Sequence, residues 1–128
     1  TELTKNGLEN DVFFVGYVSP ESLCSYYLHA LAFVFPSLNE GFGMPVVEAM
    51  NLGTPVITST ISSLPEAAGD AGLLVDPHDT EDISRAMEKI FFDPDLRVKL
   101  IEKGYEQAKK FSWEKTAHEY LSVIEGIV

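Results

Sequence analysis

Two glutamates, Glu40 and Glu48, are separated by seven residues in Ser37-Leu38-Asn39-Glu40-Gly41-Phe42-Gly43-Met44-Pro45-Val46-Val47-Glu48-Ala49-Met50. Ionised carboxylates only accept hydrogen bonds, so a pair of them suits the hydroxyls of polyols. Pro45 has no N–H to donate and its φ is already helical, which fits the first turn of a helix. Glu40 then lies in the loop before that helix, and Glu48 about one turn inside it. Gly41 and Gly43 let the backbone pass close to a ligand without side-chain obstruction. Between the carboxylates lies a helix N-terminus, whose unbonded N–H groups and positive dipole end suit a phosphate. Two hydroxyl acceptors flanking an anion site match the shape of a sugar nucleotide, a pyrophosphate between two polyols.

Each part has a plainer reading. The glycines by themselves make a tight turn with Glu40 in water. Gly41-Phe42-Gly43 lacks the third glycine of a dinucleotide fingerprint, and no lysine follows it as in a P-loop. Glu48 sits among Val46, Val47, Ala49 and Met50 on an otherwise apolar helix. Buried there without partners it would be costly, and ligand hydroxyls would supply the partners. On the solvated side of a short helix it needs no explanation.

The elements that position this motif follow from apolar runs and breakers. Val12-Phe13-Phe14-Val15 is a continuous apolar run, the pattern of a strand covered on both faces, and Gly16 follows it. Ser19 caps a helix from Pro20 to about Leu28. Ala32–Phe35 is a second strand, and the Glu40 loop leaves its carboxyl end. The next helix runs from Pro45 to about Leu52 and stops at Gly53. Pro55–Thr58 and Leu73–Val75 are further strands, with a short helix from Leu64 to Ala68 between them. Asp79 caps a helix to about Phe92, Asp93-Pro94 breaks it, and another runs to about Lys110. Ser112 caps the last, to about Ile127. Strands and helices in alternation predict an α/β domain with a parallel sheet of about four strands. Ligands of such sheets lie at the carboxyl ends of the strands.

At 128 residues with 45% hydrophobic side chains, the chain makes at most one domain. Its net charge of −11 argues against binding nucleic acid or anionic membrane through a basic face. One cysteine, Cys24, excludes an internal disulfide framework and fits a reducing, cytoplasmic setting. Its apolar helical neighbours Leu23 and Tyr27 predict a buried thiol. Every Lys and Arg is Lys5 or lies from Arg85 onward, so residues 6–84 contain no cation for a phosphate. Transfer of a group from a diphosphate needs the leaving charge stabilised, so the cations would come from outside this stretch.

Other candidates are weaker. Asp76, His78 and Asp79 cluster after the last strand, but they read equally as a turn and a helix cap. His29 and His118 lie on helices, where surface or core roles suffice. Glu66 and Asp70 would face the same cleft, or serve capping and solvation. Trp113, Ala117, Tyr120, Leu121 and Ile124 recur at helical spacing as a packing face.

Asn39-Glu40-Gly41-Phe42-Gly43-Met44-Pro45-Val46-Val47-Glu48-Ala49-Met50, followed by Gly53-Thr54-Pro55-Val56-Ile57, resembles the family 4 retaining glycosyltransferases, the glycosyl transferases group 1. The resemblance extends to Val12–Val18, Phe35-Pro36-Ser37, Ser63–Glu66, Gly72–Pro77 and Phe111–Glu114. It implies a GT-B fold, two Rossmann-like domains around a cleft, with residues 1–128 as an incomplete later part of the C-terminal, donor-binding domain. By resemblance Glu48 bonds the donor ribose diol. Glu40, the catalytic-site carboxylate, contacts hydroxyls of the transferred sugar. Gly41 and the amides of Phe42, Gly43 and Met44 line the sugar and pyrophosphate site. Tyr17 and Val18 lie beside the nucleobase, and Val47 packs near the ribose.

The same resemblance implies a GDP-, UDP- or ADP-sugar as donor substrate, no cofactor or metal, and retention of configuration with a donor phosphate oxygen as base. Two preceding β-α units with a Gly-Arg turn and a Lys, and a whole acceptor domain, belong to the family and have no counterpart here. The chain is therefore expected to be a piece of a longer enzyme, inactive alone and prone to self-association, its last helix lacking its usual partner. The parent is expected in the cytoplasm, where a peripheral position at the inner face of the membrane fits as well. Another GT-B enzyme, such as an epimerase or phosphorylase-like protein, and a noncatalytic nucleotide-sugar binding or assembly module are the alternatives.

Overall fold

In the computed structural model, which describes residues 1–127, three strands form one parallel sheet. They are β1 (Phe33–Phe35), β2 (Val56–Ser59) and β3 (Gly72–Val75), in that spatial order. Phe33 stands opposite Val56, Val34 opposite Ile57 and Phe35 opposite Thr58. On the other side of β2, Val56 pairs with Gly72 and Ser59 with Val75. Helices α1 (Glu2–Asn6) and α2 (Pro20–His29) precede the sheet. Helices α3 (Met44–Asn51) and α4 (Leu64–Ala68) make the two crossovers. After β3 come α5 (Thr80–Phe92), α6 (Pro94–Ala108) and α7 (Trp113–Glu125).

Successive residues of a strand point to opposite faces, and β2 is buried at every position. Val56 joins a core with Val46, Val47, Met50, Leu64 and Ala67, and Ile57 joins a second core with Val75, Ala86, Ile90 and Leu100. Thus α3 and α4 cover one face and α5 the other. Helix α6 contributes to both, through Ala108 to the first core and Leu100 to the second. The expected caps are made: Ser19 accepts from Ser22 N–H, Asp79 from Glu81 and Asp82, and Ser112 from Lys115. Gly53 follows α3 at φ 77°, and a Cβ there would stand 2.3 Å from the Tyr105 hydroxyl, so the stop is conformational and steric at once.

Two expectations are corrected. Val12–Val15 is not a strand, which leaves three strands rather than about four; Phe13 and Phe14 are 78% and 86% exposed. A fully apolar strand needs sheet on its edge and helices on its faces, and neither covers this segment. Cys24 is exposed, because Tyr27 is the one side chain by which α2 enters the core. The apolar stripe of α7 has no packing partner among the described residues: Trp113, Tyr120, Leu121 and Ile124 are all exposed. Among the same residues, no helix is long and apolar enough to cross a membrane.

Side-chain hydroxyls on the segment containing β2 tie it to the segment containing β1. Thr54 Oγ1 donates to the Tyr27 carbonyl at 2.7 Å, Thr58 Oγ1 to Phe35 at 2.8 Å and Ser59 Oγ to Ser37 at 2.5 Å. All three residues are buried, so each hydroxyl must find its partner within the protein. Thr58→Val keeps the shape and removes the donor. It is expected to lower stability by about 1–2 kcal/mol in urea denaturation, the usual cost of an interior hydrogen bond.

Candidate functional site

The chain leaves β1 through Pro36 and Ser37 and turns through Glu40 into α3 at the carboxyl end of the sheet, where parallel sheets hold ligands. Beside it, the chain leaving β2 runs through Ser62 and Ser63 into α4. The two turns are bonded to each other at Glu40. Its N–H donates to Ser62 Oγ at 3.1 Å. Its carbonyl accepts from Ser62 Oγ at 2.9 Å and from Ser63 Oγ at 3.1 Å.

Gly43 is the N-cap of α3, at φ 100° and ψ 40°. That backbone favours glycine, and a Cβ there would lie 2.8 Å from Leu64 Cδ2 and 3.4 Å from Ala67 Cβ. The turn is therefore pressed against α4. No side chain caps α3, and its first turn carries no acidic residue. Pro45 has no N–H and the Val46 N–H bonds the Gly43 carbonyl at 2.9 Å, which leaves the Met44 N–H of that turn for another acceptor. Phe42 anchors the turn from below through an edge-on contact with Phe111, ring centroids 5.0 Å apart.

Along α3, Val46, Val47, Ala49 and Met50 are buried and Glu48 is exposed. Burial therefore gives no reason for a carboxylate at position 48. Its exposure instead leaves the group accessible to a ligand. Glu48 lies near Tyr27 of α2. Burial, then the Glu48 charge and that of Cys24, push the Tyr27 phenol above its ordinary value. The Tyr27 ring packs edge-on against Phe33, which stacks on Phe35, and these rings join the core with the buried Val46, Val47, Ala49 and Met50 of α3.

The structure brings Glu40, Gly41, Phe42, Gly43, Met44, Val47 and Glu48 into one turn and helix. It does not join Tyr17 to them: Tyr17 is 95% exposed, beyond Gly16 at φ 62°. Val18 is half-buried. Asp70 pairs with Lys103 of α6, whose hydrogen bond and charge hold its carboxyl below the usual range. Asp79 caps α5 and pairs with Arg85, and Asp76 closes a turn by accepting from His78 N–H at 2.9 Å. Among the described residues no group of three or more His, Cys, Asp or Glu is placed to hold a metal ion. The cations also have local work. Arg85 pairs with Asp79 and Asp82, and Arg97 donates to the carbonyls of Ile90 and Phe91.

Ser62 and Ser63 are the residues that sequence reasoning missed. Their signal was the hydroxyl-rich run Thr58-Ser59-Thr60-Ile61-Ser62-Ser63 after an apolar strand start.

Residues 1–107 match the family model described as "Glycosyl transferases group 1". The chain is 45% identical over 106 residues to O-antigen chain mannosyltransferase B of Escherichia coli, covering 83% of this chain and 28% of that protein. It is 40% identical over 113 residues to D-inositol 3-phosphate glycosyltransferase of Corynebacterium jeikeium strain K411, covering 87% of this chain and 27% of the relative. Among solved structures, sucrose-phosphate synthase from Thermosynechococcus elongatus superposes with a TM-score of 0.88 at 33% identity, over 98% of this chain and 32% of that one. The chain thus spans under a third of the length of these proteins, and its architecture is that of one part of a GT-B enzyme.

The Glu48–Tyr27 proximity has a measurable consequence. With Tyr27→Phe as the blank for the other tyrosines, Glu48→Gln is expected to lower the Tyr27 pKa in a tyrosinate absorbance titration. The value stays above the ordinary one, because burial is the larger cause. A raised folded-state pKa contributes stability that is full below the unfolded pKa of about 10 and is lost as pH rises through the folded one. Denaturation midpoints of the native chain should fall in that alkaline window, and less so for Tyr27→Phe.

Proposed function

The chain belongs to the glycosyl transferases group 1 family, and from that membership we propose that it supplies the donor-binding part of a retaining glycosyltransferase, moving a hexose from a nucleotide-diphosphate sugar to an acceptor. The observation that carries this reading is the turn from Glu40 to Glu48. It sets the half-buried Glu40 and the exposed Glu48 on either side of a helix N-terminus that no side chain caps.

In this reading Glu48 accepts from the ribose diol, and Val47 packs beneath the ribose. The amides of Phe42, Gly43 and Met44 line the pyrophosphate, with Gly41 giving room. Glu40 accepts from hydroxyls of the transferred sugar. Tyr17 and Val18 border the nucleobase once the segment around them is covered. The bond between the anomeric carbon and the diphosphate oxygen breaks. A bond from that carbon to the acceptor oxygen forms on the same face. The acceptor proton passes to a phosphate oxygen of the leaving nucleotide. The negative charge that develops there needs cations, and residues 6–84 provide no Lys or Arg. The parent protein's remaining length is the source we assign to them, along with the acceptor site. The mannosyltransferase among the relatives supports mannose as the transferred sugar, and GDP-, UDP- and ADP-sugars all fit the same hydroxyl-directed contacts.

Two substitutions separate the roles. Glu48→Ala is expected to weaken a nucleotide and its sugar conjugate alike, by roughly 10- to 100-fold for a charge-assisted bond. Glu40→Ala should weaken the sugar conjugate and leave the free nucleotide unchanged. Titration of GDP, GDP-mannose, UDP and UDP-glucose measures both effects, and equal affinity of wild type and Glu48→Ala would remove the ribose role. Labelled donor mixed with simple acceptors should give no transfer by this chain alone.

Self-association of the isolated chain accompanies this reading. Helix α7 exposes Trp113, Tyr120, Leu121 and Ile124 along one stripe, and Phe13 and Phe14 are exposed near the other end of the sequence. Sedimentation is expected to show dimers or larger species that shift toward monomer in a Leu121→Glu, Ile124→Glu double variant. A clean wild-type monomer at high concentration would refute the idea.

A further inference from the structure

Ser62 is the one described non-glycine residue with a positive φ, 61°. A β-carbon in that region is strained, and such strain persists where surrounding bonds over-determine it. The bonds here all lead to one place. Ser62 Oγ accepts the Glu40 N–H at 3.1 Å, lies 2.9 Å from the Glu40 carbonyl and 3.3 Å from Asn39 Oδ1. One hydroxyl proton cannot serve both oxygens fully, and the shorter contact takes it. Ser63 Oγ reaches the same carbonyl at 3.1 Å. The peptide groups on both sides of the Glu40 Cα are therefore held, and with them the direction in which its side chain leaves the backbone. No described group bonds the Glu40 carboxylate itself, so the held backbone sets where its side chain starts and the side-chain torsions remain for a ligand to settle.

We infer that Ser62 is a positioning residue for Glu40: its strained backbone brings one hydroxyl against both peptide groups of Glu40 and fixes the Cα–Cβ direction from which the carboxylate reaches the sugar of the donor. The inference rests on the donor reading above and adds a residue outside the Glu40–Glu48 motif. Its chemistry differs from that of an ordinary structural hydroxyl in one testable way. Glycine relaxes the φ of 61° and removes the hydroxyl together. Ser62→Gly should therefore fold at least as stably as wild type and yet lose the clamp. Ser62→Ala loses the clamp and keeps the strain.

Heteronuclear NMR on the 128-residue chain tests this with two readouts. In the free chain, exchange of the Glu40 amide is expected to quicken in Ser62→Gly without a fall in thermal midpoint. In titrations of GDP-mannose against GDP, and UDP-glucose against UDP, the gain in affinity from the sugar should shrink by roughly three- to tenfold in Ser62→Gly, while affinity for the free nucleotide is kept. In a Glu40→Ala background Ser62→Gly should have no further effect. A wild-type sugar gain that is lost in Glu40→Ala but kept in Ser62→Gly would overturn the role of Ser62 and leave the donor reading standing, whatever the amide exchange. A wild type with no sugar gain for either pair would overturn both.

Discussion

The register between two stretches of chain, residues 27–40 and 54–63, governs everything built on the sheet, and side-chain hydroxyls hold it. Backbone pairing between β1 and β2 covers only three residue pairs, Phe33 to Phe35 against Val56 to Thr58. Thr58 reinforces the last pair with a bond to Phe35, and Thr54 and Ser59 extend the connection to either side with bonds to Tyr27 and Ser37. Ser62 and Ser63 carry it into irregular chain as far as Glu40. Buried hydroxyls cost free energy unless they are bonded, and among the described residues no buried side-chain N or O lacks a partner. The same bonds that remove that cost set the turn on which the donor reading depends.

Much of this was legible in the sequence where pattern and local chemistry agree. Ser19, Asp79 and Ser112 cap helices because side-chain oxygens at those positions bond the first free N–H groups, a purely local event. The Glu40 turn and its helix were legible from Pro45 and the flanking glycines. The failures share one cause: burial is decided by neighbours that a local pattern does not reveal. Val12–Val15 has the composition of a buried strand but lies uncovered. Cys24 sits beside Tyr27 on α2, yet the helix dips only far enough to bury the tyrosine. Glu48 looked costly among apolar neighbours because their inward face was plain and its own outward angle was not. The positive φ of Ser62 has no sequence signature, since serine rarely adopts it.

Charge divides the molecule in a way that composition alone hides. The turn from Glu40 to Glu48 lies in a stretch without Lys or Arg, and most of the cations concentrate on α5 and α6. There Lys103 bonds Asp70, and Arg97 serves the carbonyl end of α5. The carboxylates of the turn thus lie in a stretch without Lys or Arg, while these cations bond groups of the domain's own fold. In the donor reading proposed above, selecting a sugar and stabilising a leaving phosphate are separable tasks, assigned to different stretches of chain.

The clamp at Glu40 also has a consequence for the length of the chain. Ser37 and Glu40 are three positions apart, and so are Ser59 and Ser62, the two residues that bond them. Both stretches leave the sheet in step. Leu38 and Ile61, exposed between the bonded residues, are free to change identity. Adding or removing one residue on either side is a different matter, because it would leave one hydroxyl facing the wrong carbonyl. Loops ordinarily absorb insertions and deletions, but this pair is bound by the arithmetic of a strand ladder although neither member is a strand.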